Sequence, residues 1–137
     1  MGEATLADTS GLLALINSSD RDHERCSSAF ADLTLPLVTS LSVLTELFHL
    51  AGQRNRPAAW RILRAGSVRI AEIGNSELPR VEALMGQYAD RPMDFADATL
   101  VHLAERERLD GIFTLDNNDF ETYRIGGRKR FRIVPGR

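Results

Sequence analysis

DFADATLVHLAERERLDGIFTLDNNDF, residues 94–120, is the stretch that decides the fold. Its first part reads as a helix from Asp94 to about Arg108, with Asp94 placed to cap the free N–H groups of the first turn. Gly111 to Leu115 then reads as a short apolar strand, and Asp116 to Tyr123 as a brief helical or turn segment. A helix feeding a short apolar strand is the repeating step of a parallel sheet covered by helices.

The same step recurs on both sides. Upstream, Thr5–Ala7 is a β-compatible run ending at Asp8, and Gly11–Ile16 opens a helix after a polar Asp8-Thr9-Ser10 turn suited to capping. Asp20 is placed to cap a second helix through about Asp32. Leu35–Thr39 is a second strand, with Pro36 at its start or edge. Ser40 or Ser42 opens a helix to about Ala51 with Val43, Leu44, Leu47 and Leu50 inward, and Gly52 ends it. Pro57 at a first helical turn introduces a segment to Ala65, stopped by Gly66. Ser67–Ile73 alternates as a strand, and Ser76–Ala89 is amphipathic, with Leu78, Val81, Leu84, Met85 and Tyr88 at helical spacing. After Arg91 and Pro92 comes the stretch quoted above, followed by a Gly126-Gly127 turn and a last strand over Arg130–Val134. The expectation is one α/β domain over residues 1–137, three-layered α/β/α, around a mainly parallel sheet of four or five strands. Ligands bind such sheets at the carboxyl ends of the strands.

Composition narrows the class. The chain has 137 residues, of which 43% are hydrophobic and 26% charged, as in ordinary globular proteins. No apolar run approaches the roughly 18 residues of a membrane span, and the N-terminus lacks a secretory pattern, so the cytoplasm is expected. Cys26 is alone, which excludes an intrachain disulfide and a C-x-x-C site. The net charge of −2 hides an asymmetry: from Arg124 onward lie six basic residues and no acid. Arg124, Arg128, Lys129 and Arg130 are the candidates for contact with a nucleic-acid phosphate backbone, and a solvated terminal strand explains their charge equally well.

Acidic residues carry the functional signal. Asp8 and Asp116 each end a strand run, Glu46 sits mid-helix among Leu44, Leu47 and Phe48, and Asp97 lies in the first turn of the helix capped by Asp94. Singly, each has a dull explanation: a cap, a solvent-facing glutamate, a first-turn acid favoured by the helix dipole, a turn residue. Gathered together they would repel, and a cluster that stays ionised needs a cation. Four oxygen donors suit Mg²⁺, with Mn²⁺ a substitute, as one ion or two.

In this order and spacing, the segments LADTSGLLALIN, SLSVLTELFHLAG, MDFADATLVHLAERE and FTLDNNDF resemble the motifs of PIN-domain ribonucleases, above all the VapC-like toxins of toxin/antitoxin modules. The resemblance implies that Asp8, Glu46, Asp97 and Asp116 form a metal-binding catalytic pocket, with Asp94 and Asp119 as auxiliary acids. It places Thr9, Ser10 and Thr114 at polar pocket positions. It further implies hydrolysis of RNA by water activated at the metal, leaving 5′-phosphate and 3′-hydroxyl ends, a homodimer, and an antitoxin that blocks the pocket with an arginine. The helix faces that include Phe48 and Trp60 would serve the dimer or the antitoxin, with core packing preferred for Phe48. Alternatives are a catalytically silent PIN-like domain that binds a partner, or a PIN nuclease outside such a module.

Other chemistries lack their residues. A haloacid-dehalogenase phosphatase needs D-x-D after the first strand, and Asp8 is followed by Thr9 and Ser10. A receiver domain needs an early acid pair and a late strand-end lysine, whereas the only lysine is Lys129 in the basic tail. Ser10 has no evident base, and His23, His49 and His102 form no triad. His102 reads as a packing residue.

Overall fold

The computed structural model describes residues 3–91 and 93–137; Pro92, read above as leading into the helix from Asp94, lies outside them. Seven strands, β1 (Leu6–Ala7), β2 (Leu37–Thr39), β3 (Val68–Ile70), β4 (Gly111–Thr114), β5 (Arg124–Ile125), β6 (Lys129–Arg130) and β7 (Arg132–Pro135), alternate with six helices. These are α1 (Thr9–Ile16), α2 (His23–Ala31), α3 (Leu41–Arg64), α4 (Leu78–Gln87), α5 (Phe95–Glu107) and α6 (Asn117–Thr122). The main sheet runs β3-β2-β1-β4-β7 with every pairing parallel, which meets the expected three-layer α/β/α class. No described helix is long and apolar enough to cross a membrane.

Parallel strands with both faces covered must be apolar throughout, and β1, β2 and β4 are buried at every position. Leu6, Leu12, Leu37, Leu47, Leu100, Leu103, Ile112 and Phe113 fill the core between sheet and helices. Because β1 lies between β2 and β4, residues just past its end are central, and Asp8 follows it directly.

Several boundaries differ from the sequence expectation, each for a local reason. Asp20 accepts from the Asp22 amide in a turn, and α2 begins only at His23 with Asp22 at its cap position. Instead of a new helix at Pro57, helical geometry continues through Arg64 from a single break at Gly52 (φ 65°, ψ −178°), a conformation that favours glycine. At the far end, the Ser67 amide reaches the Ile62 carbonyl and the Gly66 amide the Leu63 carbonyl, the double closure that a left-handed Gly66 permits. Leu50 and Leu78, read as inward, are 55% and 42% exposed. The third strand shrinks to Val68–Ile70, and the last runs Arg132–Pro135. The Gly126-Gly127 turn closes a two-stranded antiparallel hairpin, β5-β6, outside the main sheet.

Candidate active site

Five helices begin at an acidic residue in the cap position, Asp8, Asp22, Glu77, Asp94 and Asp116, and only Asp94 acts as a side-chain cap. Asp94 Oδ1 accepts from the Asp97 amide at 2.7 Å. Neither Asp8 before α1 nor Asp116 before α6 makes a side-chain cap bond. The capping explanation therefore holds for Asp94 and fails for the two acids at the ends of β1 and β4. Their carboxylates are held for something else.

Asp8 is buried, and its Oδ2 accepts from the Thr114 hydroxyl at 2.7 Å and the Ser10 hydroxyl at 3.1 Å. The network continues: Ser10 Oγ lies 3.0 Å from Thr114 Oγ1 and accepts from the Leu115 amide, while Thr114 Oγ1 accepts from the Asp116 amide at 2.9 Å. The two hydroxyls thus bind Asp8 to the turn that presents Asp116. Thr9, the third expected polar position, is buried with its hydroxyl unpartnered and makes no bond to this network.

Asp97, Asp116 and Asp119 each offer an oxygen within 4.8 Å of the others. Asp119, expected as an auxiliary, is thus a full member of the tight group, because one turn of α6 brings it back over Asp116. Burial, then the negative charges of Asp8, Asp94 and Asp116, push the Asp97 carboxyl up to about 8. Burial and the adjacent Asp119 raise Asp116 to about 6. Burial also raises Asp8, outweighing its two hydroxyl donors. Among the described residues one basic side chain touches the triple: Arg91 Nε is 3.3 Å from Asp119 Oδ1. Glu46 is half-buried and lies outside the triple; its charge reaches Asp8 as the smallest influence on that carboxyl.

Tyr123, which the sequence reading passed over, is fully buried and donates to Asp97 Oδ2 at 3.1 Å. Its ring is fixed by edge contacts with Phe120 and Tyr88. A tyrosine shortly after an aspartate-rich turn was the available signal. Its burial also moves its own hydroxyl pKa upward, which keeps it a donor.

The basic residues are not gathered here. Lys129 pairs with Asp110 at 3.2 Å, just before β4, so it sits at the amino end of the strand whose carboxyl end carries the site. Arg124 Nη1 donates to the carbonyls of Glu121, Thr122 and Tyr123, closing the end of α6. Arg128 and Arg130 are exposed on the β5-β6 hairpin, which lies against Glu105, more than two turns along α5 from Asp97. His102 bridges to Glu77 Oε1 at 2.8 Å, tying α5 to the turn before α4, and His49 is exposed.

A set made only of carboxylate and hydroxyl oxygens, with protons forced onto carboxyls by burial and then by mutual repulsion, fits a hard divalent cation. Asp97, Asp116, Asp119 and Asp8 would hold it. Sulfur and imidazole donors, which favour softer metals, are absent from the cluster.

Comparison with known proteins agrees in both sequence and shape. The PIN domain family matches residues 5–125. Over 134 residues the chain is 33% identical to the ribonuclease VapC26 of Mycobacterium tuberculosis, covering 95% of this chain and 99% of that protein. The crystal structure of M. tuberculosis VapC20, described as a sarcin-ricin loop cleaving toxin, superposes with a TM-score of 0.74 at 23% identity, over 84% of this chain and 92% of that one.

Proposed function

The chain belongs to the PIN-domain family and, within it, to the VapC ribonucleases, and from that premise we propose an endoribonuclease toxin whose reaction needs a divalent metal held by Asp97, Asp116, Asp119 and Asp8. The observation that carries the site is the triple of carboxylates within 4.8 Å at the carboxyl end of the central strands. Bound Mg²⁺ or Mn²⁺ supplies Lewis acidity, lowering the pKa of water and neutralising charge on the reacting phosphate. The protein supplies placement. Ser10 and Thr114 fix Asp8, Tyr123 fixes Asp97, and the β4-α6 turn sets Asp116 beside Asp119. Glu46, whose charge reaches Asp8 and which has no fixed partner among the described residues, is the further acid proposed to serve the reaction.

An antitoxin is the proposed protein partner. A groove of about 940 Å³ opens at the carboxyl ends of β2 and β3, where Leu41, Ile73, Leu78 and Phe95 present apolar surface beside the first turn of α5, the helix that carries Asp97. It suits a segment that lays apolar side chains there and extends an arginine into the acidic cluster. The protein acts in the cytoplasm as a homodimer, a single PIN domain in each subunit.

Purified protein is expected to cut RNA with Mg²⁺ or Mn²⁺ and to stop in chelator, and Asp97→Asn is expected to be inactive while folded. Undiminished cutting in chelator would remove the metal from the reaction.

A further inference from the structure

The second half of α3, QRNRPAAWRILR (53–64), carries Arg54, Arg56, Arg61 and Arg64, and no acid occurs between Glu46 and Glu72. All four arginines are exposed, and none has an ion pair or hydrogen bond among the described residues. Of the C-terminal basic residues, Lys129 and Arg132 face Asp110, Arg137 binds Glu121 and Asn118, and Arg124 closes α6, which leaves Arg128 and Arg130 without a side-chain partner among the described residues. With four such arginines on one helix, the larger concentration of uncompensated positive charge lies on α3.

Its geometry is that of a strand-binding surface. Arg54 and Arg61 are seven residues apart, hence on one helix face. Together with His23, Ser18 and Asn55 they line a cleft of about 420 Å³ against Leu15 and Ile16, the last turn of α1. Arg56, Trp60 and Arg64, each four residues apart, form a second stripe. Trp60 is 51% exposed, with Phe48 behind it at 4.9 Å between ring centroids. An aromatic face backed by a second ring and flanked by guanidinium groups is what single-stranded nucleic acid uses for stacking and phosphate contact.

Resting on the ribonuclease reading above, we propose that residues 53–64 are the RNA-docking surface. Phosphates of a single strand sit in the Arg54–Arg61 cleft, and an unpaired base stacks on Trp60. The surface solves a problem the catalytic cluster creates, since a concentration of carboxylates repels RNA and attraction must come from elsewhere. The cleft abuts one end of α1, and Asp8 sits at the other, about 12 Å away along eight residues. A strand held there reaches the acidic cluster by running back along the length of α1.

Trp60 is the only tryptophan in the chain, so its fluorescence reports this surface alone. Titrating the full chain with a mixed-sequence single-stranded RNA oligonucleotide, in chelator to prevent cutting, is expected to quench Trp60. Arg54→Ser with Arg61→Ser should weaken binding about tenfold and flatten the slope of log affinity against log salt by about 1.4, at roughly 0.7 per phosphate on a single strand. Arg128→Ser with Arg130→Ser should leave both within about twofold of the parent. Binding without Trp60 quenching, or a larger loss from the Arg128/Arg130 variant, overturns the proposal. So does RNA-indifferent behaviour with Arg54-dependent binding of polyglutamate, which would mark the face for an acidic protein. A change of oligomeric state in the Arg54/Arg61 variant would mark it instead as a contact between copies. Binding is read without metal, so failure here is separate from failure of the parent to cut RNA with Mg²⁺.

Discussion

The Tyr123 hydroxyl donates to Asp97 Oδ2 across 3.1 Å, joining the end of α6 to the first turn of α5. Asp97 has no other side-chain donor among the described residues, so this phenol orients a carboxyl that burial and its acidic neighbours push up to about 8. Groups that orient a metal's ligands typically cost 10- to 100-fold in affinity or activity when removed. Tyr123→Phe keeps the edge-packed ring and deletes only the donor. It is expected to raise the Mg²⁺ concentration for half-maximal cleavage about tenfold while shifting the melting temperature little, measured by metal titration of the cleavage rate. An unchanged metal requirement would reduce Tyr123 to a packing residue.

Without metal, the cluster should make the protein less stable as pH rises. Asp97 is pushed to about 8 and Asp116 to about 6, against ordinary values near 3.8. Between these values the folded chain binds protons that the unfolded chain has released, so the contribution is full below pH 4 and lost as pH rises through 6 and then 8. Half-exposed Asp116 contributes less, because water screens it. The carboxylates with lowered values, Glu77, Glu105 and Glu121, titrate below this window and leave it to the cluster. In chelator the melting temperature should fall from pH 5 to pH 8.5. Asp97→Asn should raise it at pH 8 by about 3–8 °C, on the order of 1–2 kcal/mol. Calorimetry of the two proteins with and without Mg²⁺ decides it: the metal should stabilise the parent and hardly affect the variant.

Thr114 performs two tasks with one oxygen, donating to Asp8 and accepting from the Asp116 amide. Thr114→Val conserves the shape and removes both. The expected cost is about 1–3 kcal/mol, since a buried amide loses its acceptor and a buried carboxylate a donor. Activity should fall by more than stability explains. Thr114→Ser restores the hydroxyl, so recovered cleavage in that variant separates positioning from folding.

How much the sequence disclosed follows from the range of the interactions involved. Strand and helix alternation is local, so the sheet, the Gly52 break and the Gly66 stop were legible from residue types alone. So was the capping alternative for Asp8 and Asp94, but not its resolution. Whether Asp8 caps α1 or receives Thr114 depends on a residue 106 positions away. The same applies to charge: Lys129 looked available because Asp110 becomes its partner only after folding. Conversely, Trp60 beside Arg56, Arg61 and Arg64 already reads in sequence as a partly exposed interface residue, and what the fold adds is that these arginines find no acidic partner among the described residues.

Gly11 is where α1 passes closest to the sheet, and its replacement should separate the two halves of the site. A Cβ at this position would lie 2.8 Å from the Phe113 carbonyl oxygen and 2.9 Å from its ring, contacts that backbone and core cannot yield cheaply. The Asp8 amide bonds to the same carbonyl at 3.0 Å, so any retreat of α1 from β4 pulls Asp8 off Thr114. Overpacking of this kind costs about 1–3 kcal/mol. Gly11→Ala is therefore expected to lower the melting temperature by about 4–12 °C, taking roughly 4 °C per kcal/mol for a chain of this size. At a temperature where the variant is still fully folded, cleavage should nonetheless be reduced, because Asp8 is displaced from the other carboxylates. Gly86→Ala, in α4 with open space around its Cβ position, is the matched control and should be neutral or stabilising. Equal behaviour of the two variants would show that α1 can shift without disturbing the cluster, and would remove the close approach at Gly11 from the account of how the site is held together.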